Sequence, residues 1–342
     1  MRALLAGLAL FAATTIAPAA YAQNQPGPTL KAILAKGTVD CSVSPITPGF
    51  SYPDTKGEFQ GMDVDTCRAI AAAVFGDPGK AKFIPVNGAQ RLPSLQSGQV
   101  DVVIQTLTQT QTREAANGLL FAGTNFYDGQ GFLVRKSANI KTAKDLAGAA
   151  ICVSSGSTSE LNLQDWMGAN KIEYRPVVFE QVAEGRAAYD AGRCDAYSTD
   201  STQLLGMRFA MRNPEEHVVL PDIISKEPLG AAVRQGDDQW YLIVKWVMSA
   251  LIEAEEQGIT QANVDEKLNA TAPTVKRLLG TTGDYGKFMA LDNKWAYWAI
   301  KAVGNYGEMF ERHLGQGSQI KLQRGRNDLW TRGGLMYSAP IR

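Results

Sequence analysis

The strongest constraint on this chain is an alternation of strand and helix signals that runs through it twice. Residues 38–43 form a β-rich run, closed by Pro45 and Pro48. Asp63 opens an Ala-rich helical run over 63–75, which Gly76-Asp77-Pro78 ends. A strand is expected at 82–86, a short helix at 90–97 stopped by Gly98, and a β-branched strand at 100–104. This βαβαβ order argues for a parallel, doubly wound sheet. The pattern recurs with different residues. Strands are expected at 130–135, 150–154, 177–179 and 195–198, with helices from Thr142-x-x-Asp145 and over 157–168, 180–191 and 200–211. Two α/β units in series follow, each with its own sheet. One more short strand, 231–234, lies just past Pro228-Leu229-Gly230. From Asp237 the chain reads as mostly helical, and Trp240, Trp246, Trp295, Trp298 and Trp330 fall there. Trp295 and Trp298 sit at helical spacing, which favours a packing role.

The first residues indicate the compartment. Met1-Arg2 is followed by a short apolar run and by Ala20-Tyr21-Ala22 ahead of Gln23. That order is a secretory signal peptide cleaved near Ala22. The organisation expected is a signal peptide over 1–22, then the two α/β units, then the mostly helical part from Asp237. The most apolar later stretch, 241–252, is short and carries Lys245, so it reads as a buried helix. Acids and bases balance at 34 each, which points away from nucleic acid or an anionic membrane.

An exported chain meets an oxidising environment, and it carries four cysteines. Four allow three pairings. Cys41 and Cys67 lie in the first unit, and Cys152 and Cys194 in the second, so pairing within units is expected. Two pairs of free thiols are the alternative. A zinc site is the weaker use, because no C-x-x-C and no nearby His exists.

Catalytic motifs are missing from the sequence. It has no G-x-S-x-G elbow and no H-E-x-x-H, and no G-x-G-x-x-G follows a strand. Gly280 to Lys287 resembles a phosphate-binding loop by eye. Its outer glycines are one residue too far apart, and Phe288 stands where a Ser or Thr should bind magnesium. Only His217 and His313 are available for acid–base work. Asp63 and Asp65 point apart on a helix, and Asp63 suits a helix start. Neither a cofactor nor a metal is expected.

A binding constellation is more visible. Gln105-Thr106-Leu107-Thr108-Gln109-Thr110-Gln111-Thr112-Arg113 follows a strand, where ligands of doubly wound sheets bind. It offers hydroxyls, backbone N–H groups and one guanidinium suited to a planar carboxylate. A solvated surface Arg is the plain alternative. In the second unit Ser154-Ser155-Gly156-Ser157-Thr158-Ser159-Glu160 opens a helix, with Ser157-x-x-Glu160 matching a capping box. The N–H groups of such a helix start attract a carboxylate. Asp200 stands between a strand and a helix, either as an N-cap or as a receiver for an ammonium. Together these elements suit a zwitterion.

At these residues the chain resembles the amino-acid-binding proteins of polar amino-acid ABC importers, the third family of bacterial extracellular solute-binding proteins. Gly61-Met62-Asp63-Val64-Asp65 is similar to the family's G-[FI]-D-[VI]-D signature. The stretch from Asp101 to Arg113 is similar to its binding segment, Gly156-Ser157-Thr158 to its G-T-T turn, and Gly192-Arg193-Cys194-Asp195-Ala196 through Asp200 to its G-x-x-D-A element. Phe126-Tyr127-Asp128-Gly129-Gln130-Gly131-Phe132, Ile224-Ser225-Lys226-Glu227-Pro228-Leu229-Gly230, Val303-Gly304-Asn305-Tyr306-Gly307-Glu308 and Gly333-Gly334-Leu335-Met336-Tyr337 resemble its general L-amino-acid branch.

The resemblance implies a periplasmic, two-lobed α/β clamshell, each lobe a doubly wound sheet, with lobe one over 23–131, lobe two over 132–231, and a return to lobe one with a C-terminal helical extension over 232–342. It would capture L-amino acids by hinge closure near 129–133 and 229–233, and deliver them to the permease subunits of an ABC importer. The implied roles are Arg113 on the α-carboxylate, with Thr108 and Thr158 N–H groups, and Asp200 on the ammonium, with Thr106 and Ser157 nearby. Thr47 and Phe50 would wall the ligand side chain. The protein is expected to act as a monomer and not as an enzyme. A sensor feeding a signalling partner is one alternative, and a periplasmic enzyme on the same scaffold is another. The chain departs from the branch at Gln105-Thr106-Leu107-Thr108-Gln109-Thr110, where R-N-T-T-W-T is usual, and before Phe50, where a Gly-Leu pair is absent. Both departures bear on side-chain selectivity and leave the zwitterion clamp unchanged.

Overall fold

Four of the five residues of the strand Val39–Val43 are buried, so the strand must be covered on both faces. In the computed structural model, which describes residues 25–342, it runs parallel between Ala81–Pro85 and Val102–Val103. The first sheet has the order Ala81–Pro85, Val39–Val43, Val102–Val103, Glu227–Arg234, Leu119–Asp128. The second has the order His217–Val219, Gln130–Arg135, Ala196–Asp200, Ala150–Ser154, Arg175–Phe179. The signal-peptide assignment lies outside the described residues.

Both sheets are mixed: the parallel order expected holds for Val39–Val43 and for Ala150–Ser154 with their neighbours, and antiparallel strands are added to each sheet. Glu227–Arg234 runs antiparallel to its neighbours in the first sheet, and Gln130–Arg135 to its neighbours in the second. These two strands carry the chain between the lobes. Leu119–Asp128 leads through Gly129 into Gln130–Arg135, and residues 220–226 lead back from His217–Val219 to Glu227–Arg234. All of Glu227–Arg234, not only 231–234, belongs to the first sheet. The stretch at Thr142 is a short 3-10 turn, Ala143–Leu146, with a complete capping box to Asp145.

The helix Met62–Phe75 packs its inner face on the first sheet, and Cys67 on that face is disulfide-bonded to Cys41. Cys152 and Cys194 form the other bridge, inside the second lobe. Both bridges join residues within one unit, as expected from their positions. Gly61 starts the helix with φ of 130°, and a Cβ there would lie 2.1 Å from the Phe50 carbonyl oxygen. Only glycine fits. The close approach lets the N–H groups of Met62 and Asp63 donate to the carbonyls of Gly49 and Phe50.

The C-terminal region packs on the first lobe and extends its core through Trp295, Ile300 and Phe310. Asp65 ties it down. Its carboxylate lies 2.6 Å from His313 Nε2 and 2.6 Å from Arg312 Nη2. Burial pushes the Asp65 carboxyl up, but the His313 and Arg312 contacts outweigh it and hold it at about 2. The glycine-rich stretch at 280–287 wraps around Asn293, whose Oδ1 accepts from the N–H groups of Gly286 and Lys287. Among the described residues no helix is long and apolar enough to cross a membrane.

Candidate functional site

The first half of the site hangs on the end of Val102–Val103. Asp63 does not cap its own helix, contrary to the expectation for a helix start. Its buried carboxylate accepts instead from the N–H of Thr106, 3.0 Å away. That bond holds Thr106 at φ of 43°, a left-handed conformation in which a Thr is strained. Thr110 then caps the short helix Gln111–Ala115 by accepting from the N–H of Arg113. Arg113 is not a solvated surface Arg. It is 6% exposed, and Nη1 donates to the Thr108 carbonyl at 2.6 Å. Burial, then repulsion from Arg91, lower its guanidinium to about 9.

The second half comes from the other lobe. Ser157 caps the helix Thr158–Ala169 by accepting from the Glu160 N–H. The box is only half formed, because the Glu160 carboxylate takes the Gly156 N–H rather than that of Ser157. Asp200 occupies the cap position of Ser201–Phe209 without accepting from any backbone N–H of that helix. Asp128, from the first sheet, does so instead. It accepts from Thr202 N–H and Ser201 Oγ. The Asp200 side chain thus stays in the cleft, buried, with Gln203 Nε2 donating to it at 2.7 Å. Burial and the neighbouring Asp128 and Glu227 carboxylates raise the Asp200 carboxyl well above the usual range, against the pull of Arg91.

Two charged residues escaped the sequence reading as candidates for the site. Arg91 opens the helix Arg91–Gln96 and turns inward, where Nη1 donates to the Gln105 carbonyl and Nε has no partner. It feels the fields of Asp200, Glu227 and Asp63. Glu227, 1% exposed, starts the return strand and accepts from Thr108 and Thr158, which face each other across the lobes at 3.3 Å. Among the described residues, none of Arg91, Arg113, Asp200 and Glu227 forms an ion pair within 4.0 Å. The site thus sets two guanidinium groups against two carboxylates in a place shielded from water. Arg91 carried no signal beforehand, and Glu227 was marked only as part of the Ile224–Gly230 stretch of the resemblance, because the company of both is tertiary.

The pH response of the site has a defined sign. Burial pushes the Asp63 carboxyl up to about 8, despite the Thr106 and Asn125 hydrogen bonds and the Arg91 charge. The folded state therefore holds a proton that the unfolded chain releases near its ordinary value of 3.8. The stabilisation is complete below that value and is lost as pH rises through about 8. Its slope reaches about 1.4 kcal/mol per pH unit. Chemical denaturation from pH 4 to 9 should show Asp63→Asn losing less stability with rising pH than the parent. Parallel curves would refute the shift.

Between the lobes lies a cavity of about 40 Å³, lined by Ile46, Thr47 and Pro48 on one side and by Thr199, Gln203 and Met207 among others on the opposite side. Gly206 lets the lobes meet beside it, since a Cβ there would lie 2.8 Å from the Pro48 carbonyl oxygen. Thr47 is thus in the cleft wall. Phe50 is not among the residues lining this cavity, and neither are Arg113, Asp200, Thr106, Thr108, Ser157 and Thr158. Phe50 sits in the core of the first lobe, edge-on to Phe126 at 5.1 Å, because the Gly61 approach pulls its backbone under the helix.

Residues 39–268 match the family of bacterial extracellular solute-binding proteins, family 3. The chain belongs to that family. As a family 3 solute-binding protein it is 54% identical to the general L-amino acid-binding periplasmic protein AapJ of Rhizobium johnstonii, over 92% of this chain and 93% of that one. It is 48% identical to the glutamate/glutamine/aspartate/asparagine-binding protein BztA of Rhodobacter capsulatus, again over 92% and 93%. Among solved structures, a periplasmic binding protein of Brucella ovis with glutathione bound superposes with a TM-score of 0.90. That protein is 52% identical, with 92% of this chain and all of the other covered. The two-lobed α/β architecture is therefore that of the periplasmic binding proteins.

Proposed function

We propose that this family 3 protein captures a free L-amino acid between its lobes and hands it to the permease of an ABC importer. The observation that carries the reading is the pairing of Arg113 and Asp200, buried opposite charges brought to one cleft from different lobes. A zwitterion satisfies both. Its carboxylate takes the Arg113 fork and the N–H groups of Thr108 and Thr158, and its ammonium takes Asp200, with Thr106 and Ser157 beside it. Thr47 walls the side chain. Arg91 supplies a second positive charge, which favours ligands whose side chain ends in a carboxylate or amide. The names of two relatives agree, one for acidic amino acids and their amides and one for bound glutathione.

Following the two sheets, the lobes are taken as residues 25–128 with 227–342, and residues 130–219, in place of divisions at 131/132 and 231/232, with hinges at Gly129 and along 220–226 in place of 229–233. The chain works in the periplasm as a monomer after cleavage near Ala22, needs no nucleic acid, and performs no catalysis. A thermal-shift screen tests the reading, since a ligand at a hundred times its Kd adds about 2.7 kcal/mol. L-glutamate, L-glutamine and their shorter homologues should give the largest shifts, and Arg91→Ala should erase their lead over L-alanine. No shift with any common L-amino acid or with glutathione would end the proposal.

A further inference from the structure

The geometry points to Glu227 as a positioning residue that latches the two lobes over the ligand and keeps part of the ligand-free protein closed. Its carboxylate is the only group among the described residues that bonds both Thr108 and Thr158. Oε2 accepts from Thr108 Oγ1 at 2.5 Å and from Thr158 Oγ1 at 3.0 Å. Oε1 accepts from Asn162 Nδ2 at 2.6 Å and from Ser225 Oγ at 2.6 Å. Thr108 belongs to the first lobe, Thr158 and Asn162 to one helix of the second, and Ser225 to the connection between them. Four donors saturate a carboxylate that is 1% exposed.

The position in the sheet explains why one residue reaches both lobes. Glu227 pairs in register with Asp128, the last residue of the neighbouring strand, so both stand where the chain crosses between lobes. Asp128 grips the start of the helix Ser201–Phe209, and Glu227 grips the start of Thr158–Ala169. The two carboxylates thus hold the two second-lobe helices that carry Asp200 and Thr158 to the cleft. Arg113 and Arg91, from the same lobe as the Glu227 strand, offset the charge of Glu227. Opening the cleft must part Thr108 from Thr158, and Oε2 then loses one of them. The same hydroxyls flank the N–H groups assigned to the ligand carboxylate. The inference therefore rests on the capture role, but it concerns closure, which is measurable without ligand.

The test places spin labels on Thr55 and Ala183, exposed residues of opposite lobes. Their distance distribution is measured in the ligand-free protein. The parent should show a short-distance population. Glu227→Ala and Asn162→Ala should deplete it, and Asn162→Ala guards against a Glu227 variant that fails to fold. Glu227→Gln should retain it, because Oε1 still accepts from Asn162 and Ser225 while Nε2 donates to the two threonine hydroxyls. Stopped-flow with L-glutamate should show Asn162→Ala releasing it roughly tenfold faster with little change in association. A parent that is fully open, unchanged distances in the Ala variants, or a Gln variant as open as Ala would each overturn the latch. Failure of L-glutamate to bind would count against the ligand class alone, since the distances still decide the latch.

Discussion

Arg113→Ala should weaken amino-acid binding by about 2–5 kcal/mol, or roughly thirtyfold to several thousandfold. The size follows from what the substitution leaves behind. A ligand carboxylate between the lobes would keep its N–H donors but lose its only facing guanidinium, in a place where water cannot replace it. Arg113→Lys should recover little, because an ammonium cannot reproduce the planar fork. Folding should respond differently from binding. In the ligand-free protein Arg113 is a buried charge repelled by Arg91, with one of its nitrogens on the Thr108 carbonyl. Removing it relieves its burial and that repulsion, which outweigh its attraction to Glu227 and Asp200, so the melting temperature should not fall in step with the affinity. Calorimetry with the best ligand of the thermal screen measures the loss. Near-normal affinity would remove Arg113 from the site and with it the zwitterion clamp.

What could be read from the sequence follows the range of each interaction. Arg113 was legible as a candidate because the Gln105–Arg113 run follows a strand, but local order left a solvated surface Arg open, and its place on the ligand carboxylate came from the family resemblance. Asp200 was legible as a position and ambiguous as a role. Its cap duty passes to Asp128, a residue from the other sheet that no local pattern links to it. Leu119–Asp128 went unassigned, though it is among the longest strands. Gly123 interrupts its alternation, and the Phe126 to Phe132 run looked like one motif when Gly129 divides it between two lobes. Strand direction was legible within the βαβαβ runs and missed for Gln130–Arg135, because βαβ order dictates parallel neighbours only while the chain stays in one sheet. The return strand comes back from the other lobe and enters antiparallel. The roles of Arg91 and Glu227 were out of reach for the same reason, although Glu227 lies in the Ile224–Gly230 stretch of the resemblance. Each acts through groups far away in sequence, such as Asp200 for Arg91 and Thr108 for Glu227.

Removing the Cys152–Cys194 bridge with a double Ala substitution should lower stability by about 4 kcal/mol. The bridge closes a 42-residue separation, and the loop-entropy relation gives about 3.9 kcal/mol for that length. For Cys41–Cys67, with a separation of 26, it gives about 3.5 kcal/mol, so the second bridge should matter slightly more. The difference in consequence should be larger than the difference in energy. Cys41 and Cys67 sit in an extensive core that the C-terminal helices enlarge. Cys152 and Cys194 sit in a small cluster with Tyr189, Tyr197 and Leu133, on a sheet whose other face has its own small cluster. The second lobe therefore has less apolar burial to fall back on, and it should unfold first. Tryptophan placement makes this visible. Trp166 lies in the second lobe, and Trp240, Trp246, Trp295, Trp298 and Trp330 lie after the chain has returned to the first. In guanidinium, Cys152→Ala/Cys194→Ala should lose part of its far-ultraviolet circular dichroism before most of its tryptophan fluorescence changes. Cys41→Ala/Cys67→Ala should weaken the first lobe instead and bring the fluorescence change forward. Coincident transitions in both variants, at the parent midpoint, would mean that neither bridge constrains the unfolded chain.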